Sequence, residues 1–202
     1  MSDPMTAWQR LRAGNEMFFR PVRSQRHNFH EGAPLAAVFR CADAEVASEV
    51  VFGQSWGSLM DLSTWGHVVD TGVLGTLEHA VETYNVPLIV VLGHHNCSAM
   101  QAALRAWDTA EVPDGASRLA IEQALSSIVR RGSAADSVDA VSAAHIVSVG
   151  MSLLEKSPVV ARRVDAGVCG IVCATTDHDG RIHPYATVGA VGEPGDSLLE
   201  CV

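Results

Sequence analysis

Apolar residues fall along this chain in two rhythms. Short unbroken runs mark strands buried on both faces, and a three-to-four-residue spacing marks helices with one apolar stripe. The strongest run is Leu88-Ile89-Val90-Val91-Leu92, preceded by Pro87 and stopped by Gly93, which predicts a parallel strand in the middle of a sheet. Pro34-Leu35-Ala36-Ala37-Val38-Phe39 predicts a strand over 34–40, and Ser58-Leu59-Met60-Asp61-Leu62-Ser63 a weaker one near 58–63. Val168-Cys169-Gly170-Ile171-Val172-Cys173 predicts a strand over 168–174. Asp179-Gly180 then turns the chain into a fifth over 181–188, which Pro184 confines to a sheet edge because it has no N–H to donate.

The helical rhythm predicts segments over 7–19 (Trp8, Leu11 and Phe18 on one face), 46–53, 72–84 (Val73, Leu74, Leu77, Ala80, Val81), 98–107, 117–131 and about 138–155. Ser157-Pro158 predicts a further short helix, with serine as the cap and proline in the first turn. Strands alternating with helices give an α/β fold: a mostly parallel sheet of four strands plus an antiparallel edge strand, flanked by helices. We expect one domain over 1–202, divided into an N-terminal helix and arm (1–33), an α/β core (34–190) and a tail (191–202).

Composition narrows the class. The chain is 48% apolar and 18% charged, a balance for a compact protein with much buried surface, including a subunit interface. A net charge of −9, with only 14 scattered Lys and Arg, argues against a nucleic-acid partner. No secretory pattern opens the sequence and no stretch reaches about eighteen apolar residues, so no membrane association and a cytoplasmic location are expected. Five cysteines suit a reducing compartment better than a disulfide framework. Cys169 and Cys173 read as small buried strand residues and Cys201 as an exposed bystander.

The candidate chemistry lies where the two strongest strands end. Gly93 allows a sharp turn, after which His94 and Cys97 follow three apart, ahead of a helix-forming run. The 34–40 strand runs into Arg40-Cys41-Ala42-Asp43-Ala44-Glu45. Residues two apart on a strand share a face at about 6.5 Å, so Cys41 and Asp43 can address one point. Two thiolates and one imidazole suit Zn²⁺, and a three-ligand set leaves a fourth position for water, as in catalytic sites.

The Cys41-x-Asp43 strand end and the His94-x-x-Cys97 turn resemble the β-class carbonic anhydrases, which carry C-x-D-x-R followed by H-x-x-C. Leu11-x-x-Gly14-Asn15-x-x-Phe18, Val50-Val51-Phe52-Gly53-Gln54 and Gly66-His67-Val68-Val69 resemble further motifs of that family. The resemblance implies a zinc enzyme that interconverts carbon dioxide and bicarbonate, with Cys41, His94 and Cys97 as metal ligands and Asp43 as the catalytic carboxylate. It also implies a homodimer or homotetramer, with residues 7–33 embracing a neighbour.

Several positions depart from the family pattern. Its arginine two residues after the aspartate, which holds that carboxylate off the metal, is Glu45 here, a reversal of charge. Two outcomes follow: Asp43 becomes a fourth metal ligand, or another cation takes over the clamp, with Arg40 as the candidate. Ser63 stands for an arginine, Trp65 for a small residue able to narrow the pocket, Ser98 for a glycine, and Thr176 near a common tyrosine. His95 is a weaker ligand candidate than His94 and a possible proton shuttle. Three readings compete: carbon dioxide hydration, at full or low activity; a catalytically degenerate zinc-binding paralogue with a structural or binding role; and hydrolysis of carbonyl sulfide or carbon disulfide.

Overall fold

A computed structural model describes residues 32–131 and 136–191. The expected helix at 7–19, the arm before residue 32 and most of the tail, including Cys201, lie outside the described residues. The sheet comprises β1 (Ala36–Cys41), β2 (Leu59–Thr64), β3 (Leu88–His94), β4 (Gly170–Thr176) and β5 (Ile182–Val188). Its order is β2-β1-β3-β4-β5, parallel throughout except for the antiparallel β5. This is the expected architecture, and β1 and β3 are buried along nearly their whole length. Pro184 sits in the edge strand, beside a register shift between Cys173 and Ala174.

The helices are α1 (Ser48–Val51), α2 (Thr71–Thr83), α3 (Ser98–Thr109), α4 (Arg118–Arg131), α5 (Val138–Lys156) and α6 (Pro158–Asp165). Side chains cap three of them: Asp70 accepts from Val73 N, Ser137 from Ala140 N and Ser157 from Val160 N, each satisfying a first-turn N–H. The α2 stripe of Val73, Leu77, Ala80 and Val81 is buried against alternate residues of the sheet, among them Phe39, Ile89, Val91 and Ile171. Burying such a side chain contributes about 1.5–3 kcal/mol. β4 begins two residues later than its apolar run, because Gly167 turns at φ 67° and Cys169 N still bonds Arg163 O at the end of α6. Cys169 and Cys173 are buried, as their small apolar character suggested.

α5 is long and apolar enough to cross a membrane by length and composition. Here it is a core helix, packed on β3 and β4 and flanked by α3, α4 and α6, with Ser142 and His145 buried along it. Its close approach explains Gly93: a Cβ there would lie 2.9 Å from Ser142 Oγ and 3.1 Å from Ile146 Cγ2.

The strand order also places the site. From β1 the chain moves outward to β2, then returns to lay β3 on the other side of β1, so the connections leaving the carboxyl ends of β1 and β3 diverge. A crevice opens at such a switch point, and Cys41 and His94 are the last residues of the two strands that border it.

Candidate metal centre

Cys41, Asp43, His94 and Cys97 each offer one ligand atom, and the four atoms lie within 4.8 Å of one another. The sulfurs are 3.6 Å apart, Asp43 Oδ1 is 3.8 Å from Cys97 Sγ, and His94 Nε2 is 2.9 Å from Asp43 Oδ1. Tetrahedral donors around an ion at 2.0–2.3 Å are about 3.3–3.8 Å apart, so the set fits a zinc-sized cation with little movement. Two sulfurs, one nitrogen and one carboxylate oxygen also match its chemical preference.

Each donor is aimed by local structure. Cys41 ends β1 fully buried, and its Sγ accepts a hydrogen bond from Gly66 N at 3.1 Å. Gly66 turns at φ 70°, and a Cβ there would meet Ala120 Cβ at 2.9 Å and Ala99 Cβ at 3.0 Å, so only glycine brings that N–H to the sulfur. Asp43 reaches the set through a turn closed by Ala44 N on Cys41 O, not by continued strand as the spacing suggested. His94 Nδ1 bonds His95 O at 3.0 Å, which leaves Nε2 to face the other donors. Asn96 holds φ 56°, fastened by Gln101 Nε2 on its carbonyl and side chain, and this bend delivers Cys97 as the N-cap of α3.

Electrostatics bind the four together. The hydrogen bond from Cys97 brings the Cys41 thiol down to about 5 against the resistance of burial, while the same contact, with burial, pushes Cys97 up. The two sulfurs, 3.6 Å apart, thus favour a thiolate at Cys41, and a thiophilic cation binding the pair would displace thiol protons. Burial alone would lower His94, but acceptance by Cys41 and Asp43 raises it. Burial would likewise raise Asp43, yet polar contacts with Cys41 and with the hydroxyl and amide of Ser98 hold it well below the usual carboxylate range.

The remaining candidates are scattered. Arg40 does not clamp Asp43: its Nε pairs with Asp61 Oδ2 at 3.3 Å and its Nη1 donates to Val46 O at 2.8 Å. Glu45 is exposed and lines an open cleft of about 710 Å³ that is also walled by Asp43, His94, His95, Thr176, Asp177 and His178. Trp65 is not one of its walls; the half-buried indole instead donates to Ser98 Oγ at 2.8 Å. Ser63 is exposed on the edge strand β2, in register with Arg40. His95 pairs with Asp139 Oδ2 at 3.0 Å at the surface, away from the donor set.

Sequence reasoning missed the part played by three supports. Ser98 registered only as a missing glycine, yet its amide at 2.9 Å and its hydroxyl in a short contact both donate to Asp43 Oδ2. His145, with no motif around it, is buried and joins Gly66 O at 2.9 Å to Ser127 Oγ at 3.0 Å, bracing the glycine turn. His67 is fully buried, bonding Leu92 O at 3.0 Å behind the β3 end. Only a polar residue opening a helix beside a metal-spaced cysteine could have flagged the first; His67 is marked by its place in the Gly66-His67-Val68-Val69 motif, and His145 carries no local signal.

Residues 36–182 match the family model described as carbonic anhydrase. Carbonic anhydrase of Mycolicibacterium smegmatis is 38% identical over 203 aligned residues, covering 95% of this chain and 98% of the relative. Carbonic anhydrase 2 of Mycobacterium tuberculosis is 36% identical over 202, with the same coverage. Among solved structures, the β-carbonic anhydrase CcaA superposes with a TM-score of 0.72 at 20% identity, covering 89% of this chain and 95% of that one. A tetrameric β-carbonic anhydrase of Sordaria macrospora gives 0.74 at 17%, covering 91% and 99%.

Proposed function

Because the chain belongs to the carbonic anhydrase family, of the β class, we propose that it hydrates carbon dioxide reversibly to bicarbonate at one zinc ion held by Cys41, His94 and Cys97, with Asp43 as the carboxylate of the site. The observation that carries this reading is the convergence of four ligand atoms within 4.8 Å at the sheet's switch point. Bound zinc would supply the Lewis acidity that makes water nucleophilic near neutral pH.

The chain's own residues do the rest. Asp43, held anionic, presents Oδ1 to the donor set while Ser98 holds Oδ2, so Oδ1 can fill the fourth position of the set at rest and, once drawn off it, accept a hydrogen bond and orient a water. The cleft beside it is walled partly by Val46, Val50, Val51 and Leu92, apolar contact suited to a small neutral gas. Glu45, Asp177 and Asp179 line the same cleft, and this negative field favours departure of bicarbonate over its entry. His95 and His178, with ring centroids 6.2 Å apart, stand where protons exchange with solvent.

The degenerate reading draws on one observation: Oδ1 already lies among the donors, with no arginine among the described residues to withdraw it. The test for both is stopped-flow carbon dioxide hydration between pH 7 and 9 on zinc-quantified protein. Turnover that is present in the zinc-loaded protein and lost in Cys41→Ser supports the enzyme; one bound zinc without turnover supports the degenerate protein. Assembly as a homodimer or homotetramer is part of the same proposal. It is supported by the exposed apolar residues Leu35, Val46, Val50 and Trp56, and a monomer of about 21 kDa by light scattering would oppose it.

A further inference from the structure

The carboxylate that the chemistry needs has lost its usual cation, and no arginine replaces it among the described residues. We infer that Ser98, held in turn by Trp65, is the positioning residue that anchors Asp43 Oδ2 and thereby keeps Oδ1 aimed into the metal site. The inference deepens the proposed function and rests on it for the identity of the metal ligands.

Three contacts form one directed chain. Trp65 Nε1 is a donor only, and it donates to Ser98 Oγ at 2.8 Å. That occupies a lone pair of the hydroxyl and turns its single proton toward Asp43 Oδ2, the partner in the short contact. A donor that is itself an acceptor is strengthened by polarisation. Ser98 N adds a second donor to the same oxygen at 2.9 Å, and Ser98 opens the twelve-residue α3, whose first-turn N–H groups have no partner inside the helix. The positive end of the α3 dipole favours the carboxylate there.

The geometry of this anchor differs from that of a guanidinium fork. A fork can take both oxygens and draw the carboxylate off a metal. Here both donors meet Oδ2, while Oδ1 remains 2.9 Å from His94 Nε2 and 3.8 Å from Cys97 Sγ. The anchor therefore holds Asp43 in the site instead of out of it. It also gives the serine in place of glycine and the tryptophan in place of a small residue a joint physical reason, since neither side chain completes the chain of donors alone.

The test uses Ser98→Ala, which removes the hydroxyl and keeps the amide, Trp65→Phe, which removes the indole N–H and keeps a smaller aromatic ring, and Ser98→Thr, which keeps a hydroxyl. Zinc affinity is read by competition with a chromophoric chelator, and access to the metal by azide titration of the cobalt(II)-loaded protein through its visible spectrum. Ser98→Ala should bind zinc about tenfold more weakly and azide about tenfold more tightly, as an outer hydrogen-bond partner of a ligand does. Trp65→Phe should shift both in the same direction by a smaller factor, the double variant should add little to Ser98→Ala, and Ser98→Thr should stay near the parent. Unchanged zinc and azide affinities in Ser98→Ala, or a change in Ser98→Ala that Trp65→Phe does not share, would overturn the inference. Equal loss of zinc affinity without any change in azide affinity or spectrum would mark a merely structural role and overturn it too. Variants that show these shifts, with a zinc-loaded parent that hydrates no carbon dioxide, would remove the proposed activity and leave the anchor standing.

Discussion

Two carboxylates, one just beyond the end of β1 and one within the neighbouring strand β2, are held in different ways. Asp61, on the edge strand β2, takes the arginine: Arg40 Nε lies 3.3 Å from one of its oxygens and Ser48 Oγ donates to the other at 2.6 Å. Asp43, at the crevice, takes no arginine among the described residues: Oδ2 is fixed by a helix amide and a serine hydroxyl, and Oδ1 faces His94 Nε2 at 2.9 Å. Burial still raises Asp61 despite its partners, whereas Asp43 ends well below its usual range. Contacts with the Cys41 thiol and with the hydroxyl and amide of Ser98 outweigh burial at Asp43, whereas Ser48 and Arg40 do not outweigh it at Asp61. The arginine went to the outer site for a reason of strand geometry: successive side chains alternate, so Arg40 points to the face opposite Cys41.

The largest effect should come from removing the partner set on the crevice side. Cys41→Ser should weaken zinc binding by more than about a hundredfold, beyond what outer partners control, while leaving the Arg40–Asp61 pair intact. Metal analysis after dialysis checks it, and a full zinc complement would break the contrast between the two sites.

Acid should find the crevice side next. Burial is the main cause that brings His67 from 6.5 down to about 3, and it lowers His145 as well. The unfolded chain takes these protons first, so the stability is complete above about pH 6.5 and declines as pH falls toward 3. Between pH 8 and pH 5, His67 alone should cost about 2 kcal/mol. Urea unfolding of the metal-free protein measures it, and His67→Gln, which keeps a donor for Leu92 O, should flatten the slope.

Placing a cation where Glu45 stands should make the crevice carboxylate behave like its counterpart. Glu45→Arg is expected to draw Oδ1 off the donor set and raise carbon dioxide hydration about tenfold, roughly 1.4 kcal/mol at the barrier. Steady-state assays at matched zinc content decide it, and an inert variant with zinc bound would favour the degenerate reading. The smallest effect belongs to the outer site. Arg40→Ala should cost no more than about 1 kcal/mol of stability, a partly solvated pair being worth little, and should leave zinc affinity unchanged. A loss of zinc affinity to match that of Ser98→Ala would mean that Arg40 reaches Asp43 after all.

How far the sequence could be read follows from the same physics. The runs at 34–40 and 88–93 announced their strands because both faces are buried, and with them the ends that carry Cys41 and His94. The cysteine and histidine spacing was legible because metal ligation leaves few arrangements. What holds Asp43 was not, because Ser98 and Trp65 stand thirty-three residues apart and meet only in the fold. Arg40 misled by its nearness along the chain, although strand alternation already turned it away. The bracing of Gly66 by His145, seventy-nine residues on, has no trace in local pattern at all.

The central claim is a zinc site in which Asp43 is held by Ser98 and not by an arginine. A crystal structure of the zinc-loaded protein, with data at the zinc absorption edge, tests it most directly. The account predicts about one zinc per chain on Cys41 Sγ, Cys97 Sγ and His94 Nε2, with sulfurs near 2.3 Å, Asp43 Oδ1 within about 2.2 Å, and Oδ2 on the Ser98 amide and hydroxyl. A water in the fourth position with Asp43 turned onto an arginine, or a folded chain with no zinc at these residues, would contradict it.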